Sequence, residues 1–172
     1  MIVCMEERAM RAVLELAAGA LERGELPVAA AVVHDGEVIA SAATAEKAER
    51  RFLVHAELRA LLAADALRPF PGRRRDCTLV TNVEPCLMCM GAALSFFAGG
   101  IQYGLESPTD GAVGLARGWV AQGGHLPGST FPKIEGGVLR AESRLLFQDY
   151  VARTPERQPT WGWAKSLADL PP

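Results

Sequence analysis

Two short segments carry the side chains best suited to chemistry: "VHAELRA", with His55 and Glu57 two residues apart, and "EPCLMC", with Cys86 and Cys89 three apart. At i and i+3 on a helix the two cysteines share a face, so both sulfurs can reach one ion. Pro85 suits a helix start, and the unpaired N–H groups of a first turn favour thiolate, the form that ligates zinc. His55 also falls at a helix start, after the non-helical "RRFL" and before an apolar-periodic run. One imidazole and two thiolates make three protein ligands and leave a tetrahedral position open to water, as in a catalytic zinc site. Glu57 points into the same pocket without being well placed as a ligand, which suits it to shuttling protons. Alone, C-x-x-C fits a redox pair or a structural metal equally well. The ordered set of H-x-E, a strand and P-C-x-x-C favours catalysis.

Presenting these groups together requires two helix starts at one edge of a sheet. Apolar positions Met10, Val13, Leu14, Ala17, Ala18 and Leu21 predict a helix over residues 6–23, stopped by Gly24. Two apolar runs around Asp35-Gly36 predict a hairpin, because that dipeptide tolerates positive φ. A helix from about His55 to Leu67, the strand "CTLVTNV", a helix starting at or just after Pro85 and the strand "GIQYGL" follow. Residues 112–122 read as helix, "KIEGGVL" as a short strand and "RAESRLLFQDYVA" as a helix. Strands alternating with helices after a hairpin argue for an α/β domain with helices on both faces of the sheet. The domain is expected over residues 1–153. Residues 154–172, with Pro155, Pro159, Pro171 and Pro172, are expected as a tail without a long regular element, whose Trp161 and Trp163 can fold over a pocket as a lid.

A chain of 172 residues that is 49% hydrophobic can bury one core without disulfides. Its net charge of −2 does not point to a polyanionic partner, and only Arg50, Arg51 and Arg73 to Arg75 form local basic clusters. No apolar run reaches a membrane span, and "MIVCMEERAMR" does not read as a signal peptide, so a soluble cytoplasmic protein is expected. Cys4 and Cys77 are expected as small core hydrophobes, Met88, Met90, Leu94 and Phe97 as core, and His34 and His125 as solvent-facing.

The pair "HAE" and "EPCLMC" resembles the zinc-dependent nucleobase and nucleoside deaminases, whose signature joins H-x-E to P-C-x-x-C. "LPVAAAVVHDGEVIA" and "CMGAALSFFAGGIQYGLESPTDGAVG" are similar to the guanine deaminase and tRNA adenosine deaminase branch, and the resemblance covers residues 5–152. Classical cytidine deaminases resemble "CAE" where this chain has His55, and riboflavin-pathway deaminases space their cysteines more widely.

The resemblance implies a three-layer α-β-α sandwich of the cytidine deaminase-like fold, with a mixed sheet of about five strands. It implies one Zn²⁺ per chain on His55, Cys86 and Cys89, with Glu57 relaying protons while a ring amino group leaves as ammonia. Backbone groups near Ala56 and Glu84 would contact the base edge, with Asn82 within reach. The asparagine that grips substrate in these relatives corresponds to Thr44, whose hydroxyl has one donor where an amide has two. Asp110 or Glu106 could accept from a ring N–H and an exocyclic amine together, as guanine or an amino-triazine presents them.

The expected substrate is therefore a small aminated base or nucleoside such as guanine, cytosine, adenine or an amino-triazine. Two alternatives are a tRNA-specific adenosine deaminase and a non-catalytic zinc-stabilised binding module. The mixed-charge tail weighs against the first and Glu57 against the second. Pairing into a homodimer is implied as well, through the apolar "ALSFFAGG" segment.

Overall fold

The computed structural model describes residues 5–172 apart from Arg73, Pro127 and Ser129. The expectations for Cys4 and Arg73 lie outside the described residues. The elements are α1 (Met5–Glu22), β1 (Ala29–His34), β2 (Glu37–Ala43), α2 (Glu46–Glu49), α3 (Ala56–Leu67), β3 (Cys77–Val83), α4 (Leu87–Ser95), β4 (Gly100–Leu105), α5 (Val113–Ala121), β5 (Lys133–Gly136), α6 (Arg140–Arg153) and α7 (Trp161–Ala168).

Helix α1 buries Met10, Val13, Ala17 and Leu21 at helical spacing. It ends in a Schellman turn: Gly24 takes φ 77°, Glu25 N–H reaches Ala20 O and Gly24 N–H reaches Leu21 O. The β1–β2 hairpin turns at Asp35 and Gly36, with φ 50° and 79°, as a tight turn with two positive φ values requires.

The five strands form one sheet in the order β2-β1-β3-β4-β5. β1 is antiparallel to β2 and to β3, whereas β3, β4 and β5 are parallel. It follows that β2, β3 and β4 all end at the same edge, so α3, α4 and the loop into α5 all start there. α1 and α6 pack on one side of the sheet and α3 on the other, with α4 beside α3. On the α1 side Met10, Val13 and Ala17 meet Ala29, Ala31 and Val80. On the other side Ala60, Leu61, Met90 and Ala93 cover Val32, Leu79 and Ile101. The result is the α-β-α sandwich with a five-stranded mixed sheet.

Two elements lie outside the expected order. One is α2, a single short turn. The other is α7, inside the segment expected as a tail. The prolines there fall at 155, 159, 171 and 172, so none interrupts residues 160–170. Ala164 and Leu167 are completely buried, and Trp163 meets the Phe147 ring of α6 edge-on at 5.6 Å. Side chains of α6 fix the end of the chain: Arg144 donates to Leu170 O and Gln148 to Ala168 O.

Met90 and Cys77 are buried as expected, and His125 is exposed. Phe97 is not core. It follows the end of α4 with φ 63° and is 37% exposed, facing a surface groove with Leu62, Phe70 and Phe96. His34 is engaged, with Nε2 2.8 Å from Asp76 Oδ2 and 3.0 Å from an Arg68 nitrogen. No helix among the described residues is long and apolar enough to cross a membrane.

Candidate active site

His55 is the N-cap of α3 and Cys86 the N-cap of α4, both extended in backbone (ψ 147° and 172°), while Cys89 lies in the first turn of α4. Pro85 precedes the cap, and its carbonyl accepts from Ala112 N–H at 3.0 Å, which pins the start of α4 to the loop beyond β4. The convergence is close. His55 Nδ1 lies 3.7 Å from Cys86 Sγ and 3.6 Å from Cys89 Sγ, and the three ligand atoms lie within 4.8 Å of one another. A tetrahedral zinc with bonds of about 2.3 Å to sulfur and about 2.0 Å to nitrogen has sulfur–nitrogen edges of roughly 3.5 Å. These residues fit that ion.

The electrostatics point the same way. Hydrogen bonding from Cys89, helped by His55, lowers the Cys86 thiol to about 4, while the same contact and burial push Cys89 up. His55 is raised to about 10, chiefly by Cys86 and next by Glu46. The Cys86 thiolate and the protonated His55 ring thus stabilise each other, whereas Cys89 keeps its proton, which a bound metal ion would displace.

Glu57 stands one residue inside α3 and is 4% exposed. Its Oε2 is buried with no hydrogen-bond partner among the described residues. Burial pushes the carboxyl up to about 7, where it can both take and give a proton near neutrality. A second carboxylate, not revealed by the spacing of the motifs, faces the other side of the imidazole: Glu46 Oε1 is 3.3 Å from His55 Nε2. Glu46 is nine residues from His55 in a polar stretch, and only the fold of α2 brings it near.

A cavity of about 50 Å³ adjoins these groups, lined among others by Thr44, Ala56, Glu84, Asp110 and Trp163. Thr44, just past β2, is buried and donates its hydroxyl to Val54 O at 3.4 Å. Ala56 is fully buried in the first turn of α3. The Glu84 carboxylate accepts from Ser107 N–H and Val113 N–H at 3.1 and 3.0 Å, which gathers the loop between β4 and α5 around the pocket. Gly111 of that loop approaches Glu84 so closely that a Cβ there would lie 2.5 Å from the carboxylate. Asp110 Oδ1 accepts from the Ser107 hydroxyl and, at 3.0 Å, from Trp163 Nε1.

Three side chains are placed away from the cavity. Asn82 is wholly buried; its Oδ1 accepts from Ala29 N–H and its Nδ2 donates to Pro27 O, both at 2.8 Å. Both ends of its amide hold the entry into β1. Glu106 pairs with Arg140 of α6 through two hydrogen bonds. Trp161 donates to Val151 O, so Trp163 alone of the two tail tryptophans reaches the site.

Three side chains placed to hold a metal ion and a buried carboxyl stand together at two helix starts of an α/β sandwich, the layout of a catalytic zinc site. Residues 4–105 match the cytidine and deoxycytidylate deaminase zinc-binding region, and the chain belongs to that deaminase family. Among curated proteins it is 37% identical over 155 residues to a tRNA(Ile)-lysidine synthase of Deinococcus radiodurans, covering 87% of this chain and 25% of that protein. It therefore spans about a quarter of that relative. It is also 34% identical over 110 residues to the tRNA-specific adenosine deaminase of Bacillus subtilis, covering 63% of this chain and 67% of that one.

Among solved structures, a tRNA deaminase that edits adenosine to inosine at the wobble position superposes with a TM-score of 0.68 at 28% identity, covering 81% of this chain and 98% of the other. A protein crystallised with 8-azaguanine gives 0.71 at 27%, covering 87% and 85%. The guanine deaminase from Nitrosomonas europaea gives 0.64 at 25%, covering 87% of each chain.

Proposed function

We propose that this deaminase removes an amino group from a small aminated heterocycle, with guanine and amino-triazines the best fit. The observation that carries this reading is Asp110. Both of its protein donors use Oδ1, and no described residue binds Oδ2. That oxygen is available at the cavity wall to accept from a ring N–H and an adjacent amine. Thr44 departs from the asparagine of these relatives, and its hydroxyl donates to Val54 O, so the contact made with substrate there must differ from theirs. Helix α7 then acts as a lid, with Trp163 walling the pocket against water.

His55, Cys86 and Cys89 would hold the zinc, and that ion, when bound, would supply an activated water at neutral pH. Glu57 would take one proton from the attacking water and pass it to the ring nitrogen, then take the proton of the newly formed hydroxyl and pass it to the departing amine. A C–O bond forms, the C–N bond breaks, and ammonia leaves. The buried Glu57 Oε2, without a hydrogen-bond partner among the described residues, is the group able to carry that proton. The test is ammonia release measured over guanine, cytosine, adenine, their nucleosides and amino-triazines, with a tRNA in parallel. Turnover of adenine or tRNA alone would refute the reading.

A tRNA adenosine is the second reading. It is favoured by the curated relatives and by a groove of about 550 Å³ that shares Leu26 and Glu46 with the cavity and carries Lys47, Arg50, Arg51 and the 89%-exposed Phe52. Flanking bases could stack on Phe52 with phosphates on the basic side chains, and binding would then fall steeply with salt. A homodimer is proposed through the apolar groove of Leu62, Phe70 and Phe97; a solution mass equal to one chain would refute it.

A further inference from the structure

Helix α2 is four residues long with no buried side chain, and so short a helix does not hold itself together. It is tied from outside at several points. Glu25, 5% exposed in the turn after α1, accepts from the backbone N–H groups of Lys47 and Ala48 at 3.1 and 2.6 Å. Lys47 Nζ donates to Gly24 O at 3.3 Å, and Arg59 of α3 donates to Glu49. What these ties place is Glu46. Its Oε1 sits 3.3 Å from Nε2 of His55, the ring nitrogen opposite the Nδ1 that faces both sulfurs.

We infer that Glu46 is a positioning residue of the metal site and that α2, gripped by Glu25, is the bracket that holds it. A carboxylate at Nε2 keeps the ring proton there, so Nδ1 presents its lone pair toward the sulfurs. It also fixes the rotation of the ring and raises its basicity as a ligand. Because Glu46 borders the cavity as well, contact with substrate is the competing role, and the two roles separate experimentally.

The experiment competes zinc from the loaded protein with a chromophoric chelator at fixed pH, for wild type, Glu46→Ala, Glu46→Gln and Glu25→Ala. Glu46→Ala is expected to bind zinc roughly 10–100-fold more weakly. Glu46→Gln falls between it and wild type, since an amide oxygen still accepts from Nε2–H but carries no charge. Glu25→Ala weakens zinc in the same direction without touching the ring. In cobalt-substituted protein the ligand-field spectrum shifts in Glu46→Ala and is partly restored in Glu46→Gln. Wild-type zinc affinity in Glu46→Ala overturns the inference, and a loss confined to KM at unchanged affinity assigns Glu46 to substrate instead. Unchanged affinity in Glu25→Ala overturns the bracket. The inference rests on the zinc site alone, so a failed substrate screen leaves it standing, and its own failure leaves the substrate reading standing.

Discussion

Trp163 donates its indole N–H to Asp110 at 3.0 Å, joining residues 53 apart in sequence across the mouth of the cavity. The indole rests edge-on against Phe147, so the hydrogen bond has a rigid donor. Replacing Trp163 by Phe keeps much of the ring packing and removes the donor. A loss of roughly tenfold in kcat/KM, equal to about 1.4 kcal/mol, is expected with little change in stability. Steady-state kinetics beside thermal unfolding measures it, and unchanged kcat/KM would separate the tryptophan from substrate binding.

Asp110 itself should decide between substrates. In Asp110→Ala, deamination of guanine or an amino-triazine should fall by about ten- to a hundredfold, the cost of about 1–3 kcal/mol for a lost partner to a buried donor. Substrates without a ring N–H beside an amine should be affected much less. Equal losses on every substrate would mean that Asp110 supports the loop rather than reading the base.

Glu57→Gln retains size and removes the titrating group. Turnover should drop by at least about 10²–10⁴-fold while the protein keeps one zinc per chain by metal analysis. Zinc loss in this variant would show that the carboxylate is needed to hold the metal, contrary to its placement as the proton carrier.

The pair of Glu106 and Arg140 joins the loop after β4 to α6. The Arg140 guanidinium holds the Glu106 carboxyl below the usual carboxylate range. A carboxyl with a depressed folded-state pKa adds stability above its unfolded pKa of about 4.3, and this is lost as pH falls through the lower folded value. Glu106→Gln should therefore be less stable than wild type at neutral pH, with a gap that narrows as the solution is acidified below about pH 4. Both groups are partly exposed, which keeps the effect small. Denaturant titrations at several pH values would show it, and a gap that widened in acid would contradict it.

Much of the fold was legible because its signals are local. Met10, Val13 and Ala17 mark α1 by spacing, and Asp35-Gly36 marks the hairpin by its need for positive φ. The strands Cys77–Val83 and Gly100–Leu105 are apolar runs bounded by breakers. Helix α7 was harder to see, since its apolar positions recur over only two turns between prolines and its stability comes from Phe147 and Tyr150 of α6.

The sequence by itself determined the metal chemistry. His55, Glu57, Cys86 and Cys89 are specified by residue type and spacing, and helix starts read from the chain present them on one side. Only the tertiary structure decided which other polar groups join them, because a hydrogen-bond partner far along the chain leaves no periodic trace. Asn82, close to the motif in sequence, spends its amide on Pro27 and Ala29, whereas Glu46 and Trp163, without any motif, are carried to the site by α2 and α7. The direction of β2, β3 and β4 in the sheet brings their ends to one edge, and that long-range pairing turns two short motifs into a single site.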